Sequence, residues 1–151
     1  MDWMVFLTKH LDHMVLGVLG VMSFLMLAFS LERYFYYKRV RLSQFKHVEL
    51  LQSDLTNNLT IISSVASNAP YIGLLGTVIG ILLTFHAMGD GNIDVNKIMV
   101  GLAMALKATA AGLLVAIPAI LFYNGLMRRV DVLTADWRAM QKEIGHHHEA
   151  L

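Results

Sequence analysis

Three long runs of this 151-residue chain carry almost no charge: Met14–Leu31, Leu55–Gly89 and Ile98–Met127, where Lys107 is the one ionic residue. Hydrocarbon ~30 Å thick is crossed by about 20 helical residues at 1.5 Å each. Each run, the first prolonged by Tyr34, Phe35, Tyr36 and Tyr37, is therefore long enough to span a bilayer. With 15% charged residues and a mean hydropathy of +0.57, the chain lacks the polar surface of a water-soluble domain its size. A net charge of +1 gives no reason to expect a nucleic-acid partner, and the absence of cysteine excludes disulfide and thiol chemistry. The expected class is all-α, an integral membrane protein in contact with the lipid bilayer.

The segments divide as follows: an outer interfacial helix at 1–13, a first span at 14–37, a cytoplasmic helical hairpin at 38–62, a second span at 63–88, a periplasmic loop at 89–97, a third span at 98–127, and a cytoplasmic helix and tail at 128–151. Trp3, Phe6, Leu7, His10, Leu11 and Met14 recur at helical spacing, which predicts the interfacial helix. Leu42, Phe45, Val48, Leu51, Leu55, Leu59 and Ile62 form an apolar stripe, with a chain reversal between His47 and Asn58 that no glycine or proline marks. Val130, Leu133, Trp137, Met140 and Ile144 follow the 3,4 spacing of a packed helix pair. Basic residues fix the orientation. Arg33, Lys38, Arg39, Arg41 and Lys46 follow the first span and Arg128, Arg129, Arg138 and Lys142 the third, whereas the other flanks hold only Lys9 and Lys97. The positive-inside rule places the N-terminus and the loop beginning at Asp90 outside and the C-terminus in the cytoplasm. No basic start precedes the first apolar run and no A-x-A site follows it, so a cleavable signal peptide is not expected.

The second span is made of poor helix formers for a mere anchor: Gly73, Gly76, Gly80, Pro70, Thr77 and Thr84. Lipid tails give helices no hydrophobic reason to associate, so membrane helices pair through close contact at small residues. Gly73, Gly76 and Gly80 lie on one arc, and Gly101, Ala105, Ala108, Gly112, Ala116 and Ala119 make a second ridge in the third span. Three helices have little surface on which to use both ridges, so other subunits are expected to meet them; a tight three-helix bundle is the alternative. Pro70 and Pro118 are expected to kink their helices, since neither has a backbone N–H to donate.

These residues carry a resemblance. "PYIGLLGTVIGILLTF" followed by "LAMALKATAAGLLVAIPAILFYN", from Pro70 to Asn124, resembles the signature of the ExbB/TolQ/MotA family of proton-channel subunits, most nearly a short ExbB. The resemblance implies a pentameric ring around an ExbD/TolR-like single-span partner that carries an intramembrane aspartate. It also implies a Gram-negative inner membrane and use of the proton-motive force, through a TonB-like protein, to energise transport across the outer membrane. A TolQ-type role in the Tol-Pal envelope system, or a passive oligomeric channel or scaffold, is the alternative. Two departures stand out: the middle segment is short, and Met104 occupies a position where the family commonly has glutamate.

Thr77 and Thr109 match threonines that the family turns toward its pore. Each offers a hydroxyl that donates or accepts, at far less cost of burial than an ion, but threonine does not titrate near neutrality. Its residue-level alternative is a bond to its own i−4 carbonyl. Lys107 lies roughly 14 Å into its span and points away from Thr109. No acid of this chain is expected at that depth, so Lys107 is assigned a structural role, with Ser23, backbone carbonyls or a partner's acid as company. His10 with His13, His86, and the run His146–His148 are read as interfacial or tail residues, and neither a metal nor a cofactor is expected. No nucleophile–base set or phosphate loop appears, which argues against an enzyme. The orientation is directly testable: an Asn92→Cys variant should react with an impermeant thiol reagent in intact spheroplasts and a Ser43→Cys variant should not.

Overall fold

A computed structural model describes residues 2–89 and 91–151; Met1 and Asp90, the latter assigned above to the loop, lie outside the described residues. The described chain is helical, with no strand among the described residues. Helix α1 spans Asp2–Arg39 and a single 3-10 turn covers Leu42–Gln44; α2 (Val48–Leu55), α3 (Leu59–Ala87) and α4 (Val95–Glu149) follow. α1, α3 and α4 each contain a stretch long and apolar enough to cross a membrane. At 1.5 Å per residue, α4 is about 80 Å long, far more than the ~30 Å of a hydrocarbon layer. It therefore projects well beyond any membrane it crosses.

The continuity of α1 corrects the expected division at residues 13 and 14. No turn separates an interfacial helix from the first span; neither a proline nor a capping signal interrupts the helical pattern there, and Gly17 and Gly20 lie within the helix. Within His47–Asn58, where a reversal is expected, the break between α2 and α3 falls at the last residues. Asn58 adopts φ 67°, the left-handed conformation that asparagine tolerates better than most residues, and α3 starts immediately after it. α4 begins at Val95, three residues before the expected span, because the Asp94 side chain caps it by accepting from the Asn96 N–H at 3.0 Å. Pro70 and Pro118 sit inside helices that remain continuous.

The larger core lies toward the C-terminal end of α1. Leu51, Leu55, Leu59 and Ile62 of the expected stripe are fully buried or nearly so, and they pack with Met26, Tyr37, Leu126, Val130, Leu133 and Trp137. The seam of α4 is thus used through Trp137, whereas Ile144 is exposed. Polar bonds close this core. The Trp137 indole Nε1 donates to the Phe45 carbonyl at 3.0 Å, tying α4 to the segment before α2. α2 is short, and its last carbonyls have no partners within their own helix. Arg33 Nη1 donates to the Asp54 carbonyl at 2.8 Å and Tyr37 Oη to the Leu55 carbonyl at 2.6 Å. Arg33, 4% exposed, is neutralised by Glu32 through Nε at 2.5 Å and Nη2 at 2.6 Å and lies over the Tyr36 ring. Two side chains one turn apart on α1 therefore cap the C-terminus of α2. Tyr37→Phe should destabilise the protein by about 1 kcal/mol, the usual net value of such a bond. Amide hydrogen exchange should be faster in α2 of that variant, while Tyr34→Phe, at a half-exposed ring, leaves it unchanged.

Candidate functional site: the α3–α4 seam

The expected small-residue ridges meet each other. α3 and α4 run antiparallel, and the glycines of one approach the backbone of the other so closely that side chains would collide. A Cβ at Gly73 would stand 2.6 Å from the Ala108 carbonyl oxygen, and one at Gly112 would stand 2.6 Å from the Ala69 carbonyl oxygen. A Cβ at Gly76 would meet the Ala108 methyl at 2.9 Å, and one at Gly80 the Ala105 methyl at 3.0 Å. Gly101 faces Thr84, whose hydroxyl donates to the Gly80 carbonyl at 2.8 Å. Ala116 packs with Ala69 and with Leu19 of α1. This corrects the expectation that the ridges serve contacts with other subunits. Each supplies the groove into which the other fits, and that mutual fit is why both are present in one chain.

Thr77 and Thr109 lie within this seam. Thr77 is 6% exposed, and its Oγ1 lies 2.8 Å from the Ala105 carbonyl across the seam and 3.3 Å from the Gly73 carbonyl of its own helix. Thr109 Oγ1 is also within hydrogen-bond reach of Thr77 Oγ1, and Thr109 is only half-buried. The i−4 bond foreseen as an alternative is therefore present, but it is the longer of the two carbonyl contacts. Hydroxyls have one proton each. When Thr77 donates to the Ala105 carbonyl, Thr109 can donate to Thr77 and leave its own lone pairs outward. When Thr77 instead donates to Thr109, the Thr109 proton turns outward. The pair thus has an accepting and a donating setting toward whatever meets Thr109, and neither requires the helices to move.

Lys107 has a partner that the sequence reading did not foresee. Its Nζ lies 3.8 Å from Asp12 Oδ2, with the two side chains 57% and 33% exposed. The assumption that no acid reaches this depth is corrected by the unbroken α1, which carries Asp12 alongside α4 instead of diverting it into an interfacial helix. No contact with Ser23 is found among the described residues. Arg33 and Tyr37 were also missed as cross-helix ligands; their i, i+4 spacing on one face of α1 was the available signal. Met104, at the usual glutamate position, is half-exposed.

A model of the MotA/TolQ/ExbB proton channel family matches residues 16–139. The chain is 50% identical over 139 residues to the biopolymer transport protein ExbB of Helicobacter pylori strain J99, covering 91% of this chain and 96% of that protein. It is 49% identical over 140 residues to the ExbB of Aquifex aeolicus, covering 92% and 95% respectively. Similarity to the Tol-Pal system protein TolQ of Haemophilus influenzae is partial: 44% identity over 84 residues, or 55% of this chain and 37% of that one.

The geometry of the seam distinguishes its glycines from the rest. Gly112→Ala places a methyl against a backbone oxygen that cannot swing aside, and overpacking of this kind costs about 1–3 kcal/mol. Gly145→Ala, in open space near the end of α4, should be neutral or slightly stabilising. Heating the detergent-solubilised protein and following its elution by size-exclusion chromatography should show Gly112→Ala aggregating at a temperature several degrees lower, with Gly145→Ala unchanged.

Proposed function

Because the chain belongs to the MotA/TolQ/ExbB proton channel family, we propose that it works as the ExbB-type subunit of a motor that energises TonB-dependent transport across the outer membrane. It is an ExbB-type proton-channel subunit. The ExbB proteins of Helicobacter pylori J99 and Aquifex aeolicus match over 91% and 92% of the chain, whereas TolQ matches over 55% of it, so the Tol-Pal reading is not favoured. On this reading the protein resides in a Gram-negative inner membrane with its C-terminus cytoplasmic, an orientation supported by the nine basic residues that follow the first and third spans against two at the opposite side. It assembles as a pentamer around a single-span ExbD/TolR-like protein and acts on a TonB-like protein. Only 17–28% of each spanning segment is buried within the chain, which leaves ample apolar helix surface for neighbouring copies and lipid.

The observation that carries the mechanism is the hydroxyl pair. No acid lies within the seam among the described residues, so the titrating group is the partner's aspartate. Neutral, that carboxyl donates its proton to a Thr109 whose lone pairs face outward. Ionised, it accepts from a Thr109 whose proton has turned outward, with Thr77 now donating to Thr109. One pair of threonines accordingly serves both protonation states in a medium that cannot solvate either as water would. Thr109 makes the contact. Thr77 acts through it and is a positioning residue.

Both hydroxyls can be deleted with little change of shape. Thr109→Val should leave the complex with the partner intact on pull-down but lower proton-driven function about tenfold or more, since a hydrogen bond to a charged group is worth ~1.5–3 kcal/mol. Thr109→Ser should retain most activity, and Thr77→Val should fall between. Complementation of a strain lacking the gene measures all three. Full activity of the Thr77→Val, Thr109→Val double variant would remove the hydroxyls from the mechanism.

A further inference from the structure

A groove of about 670 Å³ runs between α1 and α4 where the first and third spans end. Most of it is apolar: Leu27 and Leu31 line one side and Leu121 and Phe122 the other, each between 44% and 67% exposed. Gly125 leaves room along the α4 side, since a Cβ there would meet nothing within 4 Å. The end toward the basic segments is different. Lys38 and Arg129 stand there, and neither pairs with an acid among the described residues. Lys38 folds back so that its Nζ lies 4.4 Å from the centre of the Tyr34 ring, one turn nearer the middle of the span. Ser30, a further turn inward, also lines the groove and is 7% exposed. Its Oγ is the one buried side-chain polar atom without a hydrogen-bond partner among the described residues. Thr8, Thr84 and Thr134 each donate to the carbonyl one turn back, and Ser30 does not.

We propose that this groove is a binding site for one anionic phospholipid, drawn from the leaflet at the basic ends of the first and third spans. The phosphate sits between Lys38 and Arg129, where an ammonium and a guanidinium supply charge-assisted hydrogen bonds to its oxygens. One acyl chain lies along Leu27, Leu31 and Leu121, with the opening at Gly125 to receive it. The glycerol ester falls between the two. A helical turn advances about 5.4 Å, so an ester next to a phosphate held at Lys38 Nζ reaches the level of Ser30, whose unpaired hydroxyl can donate to its carbonyl. Half-exposed Tyr34 stands at the level of the headgroup, where the tyrosines of membrane helices collect. Charge decides between this occupant and a protein helix. An apolar helix laid on the groove would cover the leucines equally well, but it would desolvate two cations without a counter-charge and leave Ser30 unpaired. A phospholipid answers all three needs, and basic pockets between membrane helices suit anionic headgroups in general. A zwitterionic lipid brings its own cation to the phosphate and gains less from Lys38 and Arg129.

Native mass spectrometry of the full-length protein counts the bound lipid, after titration in detergent with dioleoylphosphatidylglycerol or dioleoylphosphatidylcholine. The anionic lipid should fill the site at a concentration at least about fivefold lower than the zwitterionic one, because only it keeps a net charge for the two basic residues. Lys38→Gln with Arg129→Gln should weaken phosphatidylglycerol binding about tenfold or more, the scale of two basic contacts to a headgroup. Arg39→Gln with Arg128→Gln removes the same charge from exposed positions outside the groove and should change binding by less than about twofold. Gly125→Leu tests the apolar half: it keeps every charge but puts a side chain where the acyl chain lies, and should also weaken binding about tenfold. Equal affinity for the two lipids would overturn the proposal, as would equal losses in the two glutamine pairs or undiminished binding by Gly125→Leu. Lipid binding that is unchanged in Gly125→Leu while subunits or the partner are lost from the complex would assign the groove to a protein helix instead. Should Gly125→Leu fail to assemble, the two lipids and the two glutamine pairs decide the matter without it.

Discussion

Everything in this structure depends on the distance at which α3 and α4 cross the membrane together. Hydrocarbon offers no driving force for bringing two apolar helices into contact, so the attraction comes from atoms that touch, and touching backbones require residues with nothing in between. Gly73 against Ala108 and Gly112 against Ala69 provide that contact, and neither pair has room for another carbon. α1 then packs over the paired helices through Val15 and Leu19. Beyond the spans the same helices are fixed differently, by a large apolar core and by Arg33 and Tyr37 capping the carbonyls of α2.

Close approach also creates the geometry on which the proposed mechanism rests. Two threonines on separate helices come within hydrogen-bond reach only because the glycines and alanines around them hold the backbones near each other. Set further apart, each would bond only to the carbonyl one turn back in its own helix, as Thr8 and Thr134 do, and would offer a partner no coupled pair. The seam thereby supplies both the wall and its few polar points. Lys107 belongs to the architecture on the other side of α4, where Asp12 holds it.

Helix type, the number of spans and the identity of the small and hydroxyl residues were legible in the sequence, because uncharged run length and glycine spacing are local properties. Which surface faced which was not. Gly73 and Gly112 lie far apart in sequence, and periodicity assigns each to an arc of its own helix without naming the arc opposite. The pairing of Asp12 with Lys107 was hidden for a related reason: an amphipathic pattern over residues 3–14 fits an interfacial helix as well as the first turns of a spanning one, and only the continuous α1 decides between them. The break after α2 was expected within His47–Asn58 but had no glycine or proline to locate it; Asn58 takes the left-handed conformation itself.

The central claim is that the threonines pair within one chain, across the α3–α4 seam. A Thr77→Cys, Thr109→Cys double variant in the otherwise cysteine-free protein tests it most directly. Oxidised in native membranes, it should form an intrachain disulfide, running at the mass of one chain on a non-reducing gel and yielding a single cross-linked peptide pair after proteolysis. A ladder of covalent dimers and higher species, with little intrachain product, would show that the two residues face neighbouring subunits and would contradict the account.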